Sequence, residues 1–145
     1  MRRAPLLLFL LAACSPPPPA APPALTTIGG PGSSDGRFAT PRAAAWDPRG
    51  FLYVVDKSAR IQKFDRDGRF VRAWSTPACE KGRPSGLAVA PDGTVLVADT
   101  HYHRILRYTE DGVLQSEFGR EGRGPGEFLY PTGVACLTDG TIYVS

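Results

Sequence analysis

One phrase is written into this chain two and a half times, and that repetition constrains its fold more than any other feature. Residues 41–74 read PRAAAWDPRGFLYVVDKSARIQKFDRDGRFVRAW, residues 84–118 read PSGLAVAPDGTVLVADTHYHRILRYTEDGVLQSEF, and residues 131–145 begin again as PTGVACLTDGTIYVS. The glycine of the first turn recurs at Gly50, Gly93 and Gly140, an interval of roughly 45 residues that suits a four-stranded unit in an array. Such a unit cannot bury its apolar faces alone, so it must stack on its neighbours.

Each copy divides into four short apolar runs. In the second they are residues 86–90, 94–98, 104–109 and 113–118, separated by Pro91-Asp92-Gly93 and Glu110-Asp111-Gly112. Asp-Gly between strand-like runs signals a hairpin, because glycine accepts the positive φ of a tight turn. The first copy has matching turns at Pro48-Arg49-Gly50 and Arg66-Asp67-Gly68. Two successive hairpins make an antiparallel meander, and no segment keeps a helical period.

Residue size indicates how the meanders stack. The first run is rich in small residues (Ala43, Ala44, Ala45; Gly86, Ala88, Ala90; Gly133, Ala135), whereas the fourth carries Phe70 and Trp74, or Leu114 and Phe118. Four residues apart on a strand, each bulky pair is expected on one face. Small inside and bulky outside describes a wedge tapering towards an axis. Ile61 and Phe64, like Ile105 and Tyr108, fall on opposite faces, so both sides of each sheet require cover. The fold class read from these features is all-β, with propeller blades of four antiparallel strands.

These residues resemble the NHL-repeat propellers. The family phrase runs Gly-x-Phe-x-x-Pro-x-Gly-Val-Ala, then Asp-Gly, Ile-Tyr-Val-Ala-Asp and Arg-Ile-x-x-Phe. It is matched by residues 126–135 (GEFLYPTGVA), by Asp139-Gly140, by Val97-Ala98-Asp99 and by Arg104-Ile105. The first copy departs in having Ala43 for the glycine and a loop one residue shorter. The resemblance implies a six-bladed ring, of which residues 25–145 would supply about two and a half blades, and hence a fragment of a longer propeller. Residues 25–29 (LTTIG) precede Pro41 much as residues 114–119 precede Pro131, so they are expected to form an outer strand.

The amino-terminal residues read as an export signal. MRRAPLLLFLLAAC places two arginines before a short apolar run and small residues before Cys14, a run too short to span a membrane. Leu11-Ala12-Ala13-Cys14 resembles a bacterial lipobox, which implies a signal over residues 1–13 and lipidation of Cys14; the alternative is an ordinary secretory signal. Residues 15–24 (SPPPPAAPPA) are proline-rich and extended, so residues 14–24 form a lipid-anchored spacer. The expected location is the bacterial cell envelope, at the outer membrane or periplasmic face, with the membrane reached through the lipid anchor.

Charge argues against a nucleic-acid partner. Of 17 Lys and Arg, two lie in the signal, and the remainder nearly balance 14 Asp and Glu without the clustered basic stripe such a partner requires. Cys79 and Cys136 are too few for a disulfide framework, and Cys136 occupies the place of Trp46 and Val89, as a small apolar residue would.

In a meander the connection into the first strand and the loop between the second and third strands open on the same face, here called the top face. It gathers Arg42, Ser85 and Thr132 with Asp56, Lys57, Asp99, His101 and His103, the candidate binding residues. Asp56 and Asp99, each followed by an arginine (Arg60, Arg104), suit loop tethering by local hydrogen bonds and a charge pair. His101-x-His103 offers two zinc-type ligands where a catalytic zinc takes three. Similar zinc-using propeller lyases place a histidine after the entering proline, where this chain has Arg42, Ser85 and Thr132.

This reading assigns no catalytic residue, metal or cofactor. It favours a binding or scaffolding lipoprotein of the envelope holding a protein, peptide or glycan. The alternative is a secreted propeller enzyme, a metal-assisted lyase or lactonase-like hydrolase.

Overall fold

The computed structural model describes residues 26–145, so the expectations for the signal, Cys14, the proline spacer and Leu25 lie outside the described residues. Two four-stranded antiparallel meanders and one two-stranded hairpin stand side by side. The first blade is β1 (Pro41–Trp46), β2 (Leu52–Asp56), β3 (Arg60–Phe64) and β4 (Phe70–Ser75). The second is β5 (Gly86–Val89), β6 (Val95–Asp99), β7 (Arg104–Tyr108) and β8 (Leu114–Phe118), with a 3₁₀ turn at Thr100–Tyr102. β9 (Val134–Cys136) pairs with β10 (Ile142–Val144) as the inner hairpin of a third.

The turn chemistry acts as the sequence implies. Gly50, Gly93 and Gly140 have φ of 90°, 83° and 87°, and each donates its N–H to the carbonyl three residues earlier, at Asp47, Ala90 and Leu137. This is a three-residue hairpin loop closed by a glycine in the left-handed region.

Inter-blade packing forms two cores. Between the first and second blades, Tyr53, Val55 and Ile61 meet Leu87, Val95, Val97, Leu106 and Tyr108, with Trp74 against their edge. Between the second and third, Ala88, Leu96, Ala98 and Ile105 meet Val134, Cys136, Ile142 and Val144. Ile105 and Tyr108 therefore serve opposite cores, as their spacing implies. Small inner-strand residues permit the approach: a Cβ on Gly86 would lie 2.5 Å from the Thr132 carbonyl oxygen.

Two expectations fail for identifiable reasons. Phe70 and Trp74 do not share a face. Lys63 pairs with Arg72 but Phe64 pairs with Phe70, so Val71 is an extra residue, and such a β-bulge reverses side-chain alternation. Phe70 consequently packs on Phe64, with ring centroids 6.1 Å apart, while Trp74 meets Tyr53 and Tyr108. The same step at Gln115 separates Leu114 from Phe118.

Nor do residues 26–29 of the expected outer strand form one, since among the described residues none offers them a third strand to pair with. The segment after them does repeat. The Pro31 to Phe38 bridge is copied by Glu121 to Phe128, and Gly29, Gly32, Gly36 and Thr40 share positive φ with Gly119, Gly122, Gly126 and Tyr130. The connections into the first and third blades are thus one motif. Cys79 and Cys136 are both free and half-buried.

Candidate functional site

The top face is built where each entering link meets the loop after a blade's second strand. In the first blade Asp56 is fully buried. Its Oδ2 accepts from the Ala39 N–H at 2.9 Å, and its Oδ1 accepts from the Ser58 N–H at 2.9 Å and from the Ser58 hydroxyl. The neighbouring Lys57 N–H donates to the Thr40 carbonyl at 3.0 Å, which leaves the Lys57 side chain exposed beside exposed Arg42.

The expected charge pair from Asp56 to Arg60 is not formed. Backbone and hydroxyl donors fill Asp56, so Arg60 turns to the link instead, donating to the carbonyls of Ser34 and Arg37 at 2.9 and 2.8 Å.

In the second blade the pair exists: Arg104 Nε donates to Asp99 Oδ2 at 2.9 Å and its Nη1 to Glu117 at 2.7 Å. The link over residues 76–83 takes another path, and among the described residues no donor reaches Asp99 Oδ1. Burial pushes the Asp99 carboxyl above the ordinary aspartate range despite Arg104. Loss of water around an unpartnered anionic oxygen disfavours the charged form.

Other contacts join the blades into one surface. The Ser85 hydroxyl lies 2.5 Å from that of Thr100 and 3.3 Å from the Thr132 carbonyl, and Arg83 Nε donates to the Lys57 carbonyl at 3.1 Å. All eight sequence-derived residues thus belong to this face, but with different availability. Asp56, Asp99 and His103 are buried, Ser85 is half-buried, and Arg42, Lys57, His101 and Thr132 are exposed.

The two histidines are not a matched pair. His103 has φ of 55°, which turns its ring under the next link, where Nδ1 accepts the Tyr130 N–H at 3.2 Å. A neutral imidazole accepting at Nδ1 carries its proton on Nε2, and neither nitrogen then offers a metal a free lone pair. His101 is exposed and touches Tyr130 edge-on, with centroids 5.9 Å apart.

The motif reading missed Tyr102, Tyr130 and Lys81. They line a cleft of about 500 Å³ with His101, Arg104 and Glu121. Tyr130 could have been found from its place before the entering proline, which aligns it with Thr40 and Arg83. On this face buried carboxylates fixed by the scaffold lie below exposed aromatic and charged groups.

Comparison with known proteins agrees with this architecture. Residues 82–108 match the NHL repeat family. The chain is 39% identical over 54 residues to Protein brain tumor of Drosophila melanogaster and 35% identical over 68 residues to human NHL repeat-containing protein 3. These alignments cover 37% and 46% of this chain but only 5% and 19% of those proteins.

Among solved structures, virginiamycin B lyase from Staphylococcus aureus superposes with a TM-score of 0.58 at 20% identity, covering 73% of this chain and 34% of that one. Hydrazine synthase of Kuenenia stuttgartiensis superposes with 0.61 at 17% identity, covering 77% and 30%. The WD40 propeller domain of Doa1 gives 0.50 at 16%, covering 66% and 29%. At such identities the likeness is one of fold. The described residues thus form β-propeller-type blades, and residues 82–108, within the second of them, match the NHL repeat.

Proposed function

We propose that the top face is a binding surface and that the chain is a binding or scaffolding lipoprotein of the bacterial cell envelope, holding a protein, peptide or glycan. One observation carries this reading. The groups that catalysis would enlist are tied to the scaffold: Asp56 by the Ala39 and Ser58 amides, one oxygen of Asp99 by Arg104, and Nδ1 of His103 by the Tyr130 amide. What remains exposed is a spread of Arg42, Lys57, His101, Tyr130 and Thr132 on a rigid frame, and loops so held commonly carry recognition.

The anchor rests on the residues around Cys14, and the proline spacer would hold the blades off the membrane by about 3.1 Å per residue. Photo-crosslinking tests the surface. A crosslinking residue at Lys57 or Thr132 of the intact protein should yield discrete adducts in the envelope, and one at Arg66 or Asp139 should not. Equal labelling from all four positions would remove the binding face. Mass spectrometry of membrane fractions tests the anchor, since Cys14→Ala recovered there as fully as wild type contradicts it.

A further inference from the structure

The cleft between the Thr100–Tyr102 turn and the link before β9 is a site in its own right. Tyr130 leaves 57% of its surface exposed, yet it is held firmly. Its N–H donates to His103, its ring lies 4.6 Å from the His103 ring, and His101 abuts its edge. A large aromatic surface held in place loses little freedom on contact, which is what makes an anchor for a ligand.

Tyr102 plays a different part. Its hydroxyl donates to Glu80 at 3.0 Å and accepts from the Lys81 N–H at 3.2 Å, while Arg104 and Lys81 lie over its ring at 5.1 and 5.8 Å. Tyr102 is therefore a wall. Arg104 is paired with Glu117, and Arg120 with Glu127. Among the described residues this leaves Lys81, His101 and Glu121 lining the cleft without an ion pair.

An occupant must match one open aromatic face ringed by hydrogen-bonding groups of both signs. The apolar face of a pyranose ring presents C–H bonds with slight positive charge to the negative face of an aromatic ring. Its equatorial hydroxyls both donate and accept, and so suit an ammonium, an imidazole and a carboxylate together. A peptide anchored by an apolar side chain would need a closed apolar socket, whereas the walls here are mainly charged and polar. A strongly charged ligand would meet its own sign at either Lys81 or Glu121.

We propose that this cleft binds an uncharged oligosaccharide, one sugar ring stacking on Tyr130 while Lys81, His101 and Glu121 bond its hydroxyls. The proposal rests on the binding reading of the top face and narrows it to one ligand class.

The test uses the intact protein titrated with chitotetraose and with cellotetraose, followed by saturation-transfer NMR and calorimetry. Wild type and Tyr130→Phe should bind at least one of them. Tyr130→Ala should weaken binding at least tenfold and Glu121→Gln several-fold, while Asp139→Asn on the opposite face changes nothing. A thermal melt of each variant verifies folding. Binding of neither sugar, or affinities within twofold of wild type for both Tyr130→Ala and Glu121→Gln, overturns the proposal. Mass spectrometry of the recovered sugar separates the two readings. Cleaved sugar upholds the saccharide site and defeats a purely binding role, while absent sugar binding with top-face crosslinks intact defeats the saccharide and leaves the binding role standing.

Discussion

Glu110→Gln should loosen the seam between the first two blades. Glu110 lies in the turn between β7 and β8, yet it receives Arg49 through two bonds of 2.6 and 3.0 Å and the Lys63 ammonium at 2.9 Å. Both cations belong to the first blade. The Lys63 side chain is only 6% exposed and lies 4.3 Å from the centre of the Phe51 ring.

The Arg49 half is exposed to solvent and contributes little. The Lys63 half weighs more. Removing one partner of a buried pair costs about 3–5 kcal/mol, offset here by the remaining aromatic contact of about 1–2 kcal/mol. The net loss is about 1–4 kcal/mol.

The pH dependence has a definite sign. Arg49 first and Lys63 second hold the Glu110 carboxyl down to about 2 against an ordinary 4.5. A carboxyl depressed on folding stabilises fully above the unfolded value and loses that stabilisation as pH falls from about 4.5 towards 2. The shift alone corresponds to about 3 kcal/mol, but Glu110 is 38% exposed, and solvent screening reduces this to about 1–2 kcal/mol.

Urea unfolding of the intact protein at neutral pH should show the loss with an unchanged slope. In a Lys63→Met background the same substitution should cost under about 1 kcal/mol, because the buried charge has gone. Equal costs in both backgrounds, or a single-variant loss below about 0.5 kcal/mol, would refute the argument.

Glycines in the same left-handed region should respond differently. Gly112→Ala would set its Cβ 2.5 Å from Trp74 and cost well over 2 kcal/mol, whereas at Gly126 nothing lies within 4 Å and only the left-handed backbone penalty of about 1–2 kcal/mol remains; similar losses in urea would contradict this. Gln62 is fully buried, accepts from the Gly36 N–H at 2.9 Å and donates to the Arg37 carbonyl at 2.7 Å. Gln62→Leu, which imitates Leu106, should therefore destabilise by about 1–3 kcal/mol and speed proteolysis between residues 30 and 38; unchanged cleavage would count against it. Leu96→Ala, at a fully buried position between the second and third blades, should cost about 2–5 kcal/mol in thermal or chemical unfolding.

Much of the fold is readable along the chain because its causes are local. Gly50, Gly93 and Gly140 mark turns since only glycine takes their φ without strain. Ile105 and Tyr108 assign themselves to opposite faces by a period of two. The alternation of strands is also enough to place Arg42, Lys57, His101 and Thr132 at one end of the blades. The bulge at Val71 has no such marker, so the faces of Phe70 and Trp74 emerge only when β3 and β4 pair.

The site divides in the same way. Asp56 and Asp99 occupy the same place in their repeats, but one is saturated by amides and the other keeps an orphaned oxygen. The difference lies in the links that arrive from outside the motif. His103 resembles a metal ligand beside His101 until a residue 27 positions away donates into it. Lys63 and Glu110 meet across 47 residues. Sequence alone determined the repeat, the turns and the end of the blade where side chains gather, because these follow from backbone sterics and strand period. Tertiary structure alone decided which of those side chains are free, because hydrogen bonds between distant segments consume donors and acceptors that local spacing cannot count.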